Sequence, residues 1–144
     1  MRISGLLRDK GDFVATVAPG TTVREVLAGL AEHGVGALIV TADGERIDGI
    51  VSERDVVRAL HHRGTPVLDE AVTEVMTADV ATCGPDAEVD SLMALMTDRR
   101  IRHVPVVVEG RLTGIVSIGD VVKHRLHELE HENSALVEYI QTGR

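Results

Sequence analysis

The apolar positions of the chain change period several times, and each change marks an element. Val23, Val26, Leu27, Leu30 and Ala31 fall at i, i+3, i+4, i+7 and i+8, a single stripe along a helix. Thr22, with Glu25 three residues later, supplies a capping box to start it. A short β-rich run over residues 13–17 precedes this helix across a proline turn. Two apolar runs, 37–40 and 47–51, follow it on either side of Asp43-Gly44, a hairpin signal. A last helix begins after Ser52, so the predicted order is β-α-β-β-α.

The same order then returns. Val14-Ala-Thr-Val-Ala-Pro-Gly-Thr-Thr-Val23 lies over Val80-Ala-Thr-Cys-Gly-Pro-Asp-Ala-Glu-Val89 at an offset of 66, which places Thr16 on Thr82 and Pro19 on Pro85. Gly49-Ile-Val-Ser-Glu-Arg-Asp-Val-Val-Arg58 lies over Gly114-Ile-Val-Ser-Ile-Gly-Asp-Val-Val-Lys123 at an offset of 65. In the second unit residues 80–82 predict the strand, and Val89, Leu92, Met93 and Met96 the helix stripe. Residues 104–108 and 112–116 around Gly110 predict the hairpin, and a helix begins after Ser117. Even the lead-in recurs: Ile3, Leu6 and Leu7 have counterparts in Val72, Val75 and Met76. Two matched blocks in one order imply duplication. The expected organisation is a first unit with its lead-in over 1–63, a linker over 64–74, a second unit over 75–125 and an amphipathic C-terminal helix over 126–144. Each unit is half the size of an ordinary domain and needs the other to bury a core.

In the C-terminal helix, Val122, Leu126, Leu129, Asn133, Leu136 and Ile140 alternate spacings of four and three, a heptad stripe with one polar member. Asparagine at such a position sets register and partner number, so the stripe predicts a homodimer; the alternative is a stripe lying on its own domain. His124, His127 and His131 share one face of this helix, which reads as a solvated face more readily than as a metal site.

Composition narrows the function. Hydrophobic residues make up 44% and charged residues 26%, the balance of a folded chain. Phe13 and Tyr139 are the only aromatic residues, so no platform exists for stacking bases. The net charge of −8 opposes nucleic acid as a partner. Cys83 is the single cysteine, which excludes an internal disulfide and points to a reducing compartment, the cytoplasm. The first ten residues lack the apolar run of a signal peptide, and no stretch reaches membrane-spanning length. No P-loop, dinucleotide glycine fingerprint or nucleophile–base signature is present, so no enzymatic activity is expected.

The blocks Gly49-Ile-Val-Ser-Glu-Arg-Asp55, Ile101-Arg-His-Val-Pro-Val106 and Gly114-Ile-Val-Ser-Ile-Gly-Asp120 resemble the hallmarks of CBS (cystathionine-β-synthase) domains, and the resemblance covers residues 1–125. It implies an α+β fold with α/β-type layers: two β-α-β-β-α motifs packed about a pseudo-twofold axis, a Bateman module, here followed by a long helix. The resemblance is to short bacterial proteins made of such a pair alone. It also implies two clefts for adenosine-containing ligands such as AMP, ATP or NAD(H).

Candidate site residues follow from the motifs. Asp55 and Asp120, each three residues after a serine (Ser52, Ser117), read either as capping-box acids or as acceptors for ribose hydroxyls; the resemblance favours ribose. Gly119 permits close approach to the backbone. By resemblance Arg102 and His103 contact phosphate, the alternative being a solvated run paired with surface acids. The first unit has Gly36 and Ala37 at those positions but carries Arg54 where the second has Gly119, so the clefts differ. The cleft with Asp120 is the better nucleotide site by resemblance, and Arg54 reaches phosphate in either. Adenine is expected near the backbone of Thr16 or Thr82, clamped by Leu38, Val104 and Pro105, although both threonines also read as ordinary strand residues. The expected function is an adenine-nucleotide sensor acting through conformational or oligomeric change on an unidentified regulated protein. The alternatives are a nucleotide-independent structural dimer and an enzyme built on His103 and Ser117.

Overall fold

A computed structural model describes residues 1–142 of the chain. The elements run α1 (Ile3–Lys10), β1 (Thr16–Val17), α2 (Val23–His33), β2 (Ala37–Val40), β3 (Gly49–Ser52) and α3 (Glu53–Arg63). Two 3-10 turns, Thr65–Asp69 and Val72–Glu74, lead to α4 (Val89–Arg99), β4 (His103–Val108), β5 (Arg111–Ser117) and α5 (Ile118–Thr142). In the first sheet β2 lies between β1, parallel to it, and β3, antiparallel to it; β4 and β5 form a second, antiparallel sheet.

The predicted capping box at Thr22 and Glu25 is present, with the Glu25 amide donating to Thr22 Oγ1 at 3.2 Å and the Thr22 amide to Glu25 Oε2 at 3.0 Å. Val23, Val26 and Leu30 are buried, whereas Leu27 and Ala31 stay exposed, so the stripe is narrower than its apolar residues suggest. The second hairpin closes with two residues, Glu109 and Gly110, both at positive φ (52° and 78°) as a type I′ turn requires. The first is wider. Asp43 Oδ1 accepts from the amides of Glu45 and Arg46, each at 2.8 Å, and folds residues 41–48 into a loop in place of a tight turn.

The strand expected over residues 80–82 does not form. In the first motif the Ile39 amide donates to the Ala15 carbonyl at 3.2 Å. The corresponding pair would be Pro105 and Ala81, and proline has no N–H to give. Pairing survives only at Cys83, whose amide donates to Pro105 O at 3.1 Å and whose carbonyl accepts from Val107 N at 2.9 Å.

Each motif has its own core, and each core is closed by the other motif's lead-in. Val72 is buried among Val23, Val26, Leu38, Val51 and Val56 of the first motif, with Val75 and Met76 packed beside it. Ile3 and Leu6, from the start of the chain, are buried among Val89, Leu92, Met96, Val104, Val116 and Val121 of the second. Full burial of such a side chain stabilises by about 1.5–3 kcal/mol. The exchange is nearly symmetric. Ile3 N donates to Ala87 O at 2.9 Å and Val72 N to Thr21 O at 2.7 Å; Met76 packs over Gly49, where a Cβ would collide, and Leu7 over Gly114, where a Cβ would be crowded. These paired contacts express the pseudo-twofold relation between the motifs.

The C-terminal stripe does not lie on its own domain. Val121 is the buried residue of α5, while Val122, Leu126, Leu129, Leu136 and Ile140 are about half or more exposed, from 49% to 66%. Residues 143 and 144 of the predicted helix lie outside the described residues.

Candidate functional site

β3 and β5 each deliver a serine to the start of a helix, and each serine is tied to the acid three residues on. Asp55 Oδ2 accepts from Ser52 N at 2.8 Å and from Ser52 Oγ at 3.1 Å, and the Asp55 amide donates back to Ser52 Oγ at 3.4 Å. Ser117 and Asp120 repeat the arrangement at 2.8, 2.9 and 3.2 Å. Both acids are therefore capping residues. The cap uses only Oδ2, and Oδ1 of either carboxylate has no hydrogen-bond partner among the described residues, so capping and sugar binding are compatible in one side chain.

A cavity of about 600 Å³ opens between the motifs, within the usual range for ligand sites. One wall is the start of α3, with Ser52, Glu53, Arg54, Asp55 and Arg58. The facing wall comes from the second motif: Arg99 to His103, and Ser117, Ile118 and Gly119. Gly36, Ile50, Thr77, Asp79, Val80 and Ala81 complete it.

The cavity is cationic in an otherwise acidic chain. Five guanidinium groups (Arg54, Arg58, Arg99, Arg100 and Arg102) face three carboxylates (Glu53, Asp55 and Asp79), an excess of two positive charges. None of the five makes an ion pair or side-chain hydrogen bond among the described residues, whereas Arg24, Arg63, Arg111 and Arg125 are each paired with an acid. The arginine run thus does not serve surface acids. Arg100 ends α4 in the left-handed region at φ 54°, where the equivalent cap of α2 is Gly34 at 63°. A non-glycine residue pays for that conformation in backbone strain, a pattern found at binding sites.

His103 is half-buried against Gly36; a Cβ there would lie 3.2 Å from His103 Cε1. Burial pulls its pKa below the ordinary value, and nearby Glu53 offsets this only in part, so the environment favours the neutral ring.

Of the residues singled out from the sequence, Gly36, Ser52, Arg54, Asp55, Arg102, His103, Ser117 and Gly119 line the cavity. Thr16, Ala37, Leu38, Thr82, Val104, Pro105 and Asp120 do not. Leu38 and Val104 are fully buried in the two separate cores, Ala37 and Pro105 are buried in their strands, and Thr16 and Thr82 are exposed. None of the seven is positioned to clamp a base in this cavity; Ile50, Val80, Ile101 and Ile118 supply its apolar surface. The sequence reading missed Arg58, although it stands one helical turn from Arg54 on the same face. It also missed Val80 and Ala81, which Pro105 frees from the sheet.

Asp120, expected in the better cleft, is already engaged. Lys10 Nζ lies 2.5 Å from Asp120 Oδ2 and donates to Ile115 O at 2.6 Å. Burial tends to raise the Asp120 pKa, but the Lys10 ammonium and the Ser117 hydrogen bonds outweigh it and hold the carboxyl below its ordinary value. The inter-motif cavity at the start of α3 is lined by the other acid, Asp55. On α5, His124 Nε2 is 3.1 Å from Glu128 Oε1, and among the described residues no group of three or more His, Cys, Asp or Glu is arranged to hold a metal ion. No helix of the described residues is long and apolar enough to cross a membrane.

Comparison with known proteins agrees with this architecture. The CBS domain matches residues 11–62 and again 72–127. A mitochondrial CBS domain-containing protein of Arabidopsis thaliana is 40% identical over 126 residues, which are 85% of this chain and 61% of that protein; the chain thus spans about three-fifths of that relative. The crystal structure of a CBS-domain-containing protein from Agrobacterium tumefaciens superposes with a TM-score of 0.84 at 42% identity, covering 87% of this chain and 99% of that one. A CBS domain protein of Pyrobaculum aerophilum, solved in complex with AMP, superposes with a TM-score of 0.74 at 32% identity, covering 83% and 89%. With both halves matched in sequence and the whole arrangement matched in space, the chain belongs to the CBS-domain family and carries two copies of the domain in tandem.

Proposed function

We propose that the chain is a regulatory module that binds an adenine nucleotide, AMP, ATP or NAD(H), in the cavity at Asp55 and performs no chemistry on it. One observation carries the reading: the cavity combines a helix-start carboxylate having a free oxygen with five arginines that have no side-chain partner among the described residues. Asp55 Oδ1 suits two sugar hydroxyls. The arginines and the N-terminus of α3 suit phosphate. The apolar patch of Ile50, Val80 and Ile118 suits a base, and the Ala81 carbonyl, left without a strand donor, suits its amino group. The Pyrobaculum relative with AMP bound supports this ligand class.

Both motifs line the cavity, so a bound nucleotide bridges them and favours whichever inter-motif arrangement fits it better. The exposed stripe of α5, with Asn133 on it, is the surface for a second copy of the chain, and that homodimer or a regulated partner protein receives the signal. A lone cysteine fits a cytoplasmic setting. Ser117 Oγ donates to its own cap acid, so nothing favours the alternative of an enzyme built on it.

A thermal-shift panel of AMP, ATP, NAD+ and NADH, with GTP as control, tests the ligand class. A ligand at a hundred times its Kd raises stability by about 2.7 kcal/mol. A shift for adenine ligands alone is expected; a silent panel overturns the reading, and nucleotide turnover replaces it with the enzyme. Sedimentation of the intact chain at dimer mass, and of a chain lacking 126–144 at monomer mass, is the corresponding result for α5; a monomeric intact chain removes the dimer.

A further inference from the structure

The two motifs complete their strand-to-helix junctions differently. At the first, a backbone pair closes the edge: Ile50 N donates to Thr77 O and Thr77 N to Ile50 O, both at 2.9 Å. At the second, the Lys10 side chain does this, donating to Ile115 O and reaching on to Asp120 Oδ2. Lys10 is the last residue of α1, and α1 is held firmly. Ile3 and Leu6 are buried in the second core and Leu7 rests on Gly114, so the ammonium is delivered by a packed element. Lys10 and Asp120 are each about three-quarters shielded from water, with 27% and 23% of the side chain exposed. Pairing under such screening is stronger than between surface groups.

The second cleft also repeats less of the cationic lining of the first. By the repeat offsets, His33, Gly34 and Gly36 stand where Arg99, Arg100 and Arg102 stand, and Gly119 stands where Arg54 does; only Arg58 has a cationic counterpart, Lys123. Phe13, at the position of Asp79, packs its ring 5.6 Å from that of His33.

We propose that Lys10 is a built-in latch on the second cleft: although Oδ1 of Asp120 stays free, the ammonium on Oδ2 neutralises the carboxylate whose counterpart in the first cleft has no such partner, so the module takes one nucleotide per chain. The proposal rests on the nucleotide reading above. It predicts that a ligand enters the second cleft only when Lys10 is displaced or loses its charge.

Isothermal titration with AMP reads this as stoichiometry. The wild type is expected to bind one AMP per chain and Lys10→Met two, with the second equivalent lost again in Lys10→Met/Asp120→Ala. Lys10→Gln, which keeps a donor but no charge, gives the same reading if the methionine variant does not fold. Two equivalents in the wild type, or one in a folded Lys10→Met and Lys10→Gln, overturns the latch and leaves the Asp55 site standing. No binding by the wild type but one equivalent in Lys10→Met overturns the Asp55 site and leaves the latch. Silence from every variant overturns both.

Discussion

The junctions at Ser52 and Ser117 were copied from one unit, and they have kept different things. Both retain the cap, down to the choice of Oδ2 as the acceptor. An N-cap contributes about 1 kcal/mol, and a helix that begins against a sheet edge needs it whatever the site does. What surrounds the acid is under no such constraint. Asp55 faces open space and unpaired guanidinium groups, and Asp120 faces Lys10. Duplication in this chain preserved the parts that folding demands and let the surroundings of the acid diverge.

The largest effect expected from breaking this contrast is on binding. Asp55→Ala removes a charged acceptor, worth about 1.5–3 kcal/mol, so adenine-nucleotide affinity by titration calorimetry falls roughly 10- to 100-fold. Wild-type affinity in that variant would mean the open acid is only a cap. A smaller effect concerns acid. The Asp120 pKa is depressed in the folded chain, so its contribution to stability is present above the ordinary value near 3.8 and is lost as pH falls through the folded value. Denaturant unfolding followed from pH 6 to pH 2 should show wild type losing stability more steeply below about pH 4 than Lys10→Met does; parallel curves would separate Lys10 from the depression. The smallest effect is at Arg100. Replacing it with glycine matches the cap of α2 and should raise the unfolding free energy by up to about 1 kcal/mol while weakening nucleotide binding. A destabilised Arg100→Gly would refute the strain at φ 54°.

Local order was legible from the sequence where short-range rules decide it. The capping boxes, the two hairpins and the repeat all depend on residues within a few positions of one another, and each appears in the structure. The missing strand at 80–82 needed the pairing register as well, because Pro105 removes a donor only if it stands opposite Ala81. Leu38, Val104 and Pro105 lie away from this cavity for a related reason: strands covered on both faces bury consecutive residues, and alternation cannot say which face borders a cleft. Lys10 was invisible because its partner is 110 residues away in the chain. The arginine cluster was half visible; Arg99 to Arg102 stood out as a run, but its meeting with Arg54 and Arg58 is a product of the inter-motif packing.

The crossed lead-ins determine what counts as the smallest foldable piece. A fragment ending at residue 63 would carry Ile3 and Leu6 with no apolar groove to receive them and would leave Val23, Val26 and Val56 uncovered. Cut apart, the halves have reason to find each other again, since each holds the strap that fastens its sibling. The linker therefore does not join two finished domains; it raises the local concentration of two unfinished ones.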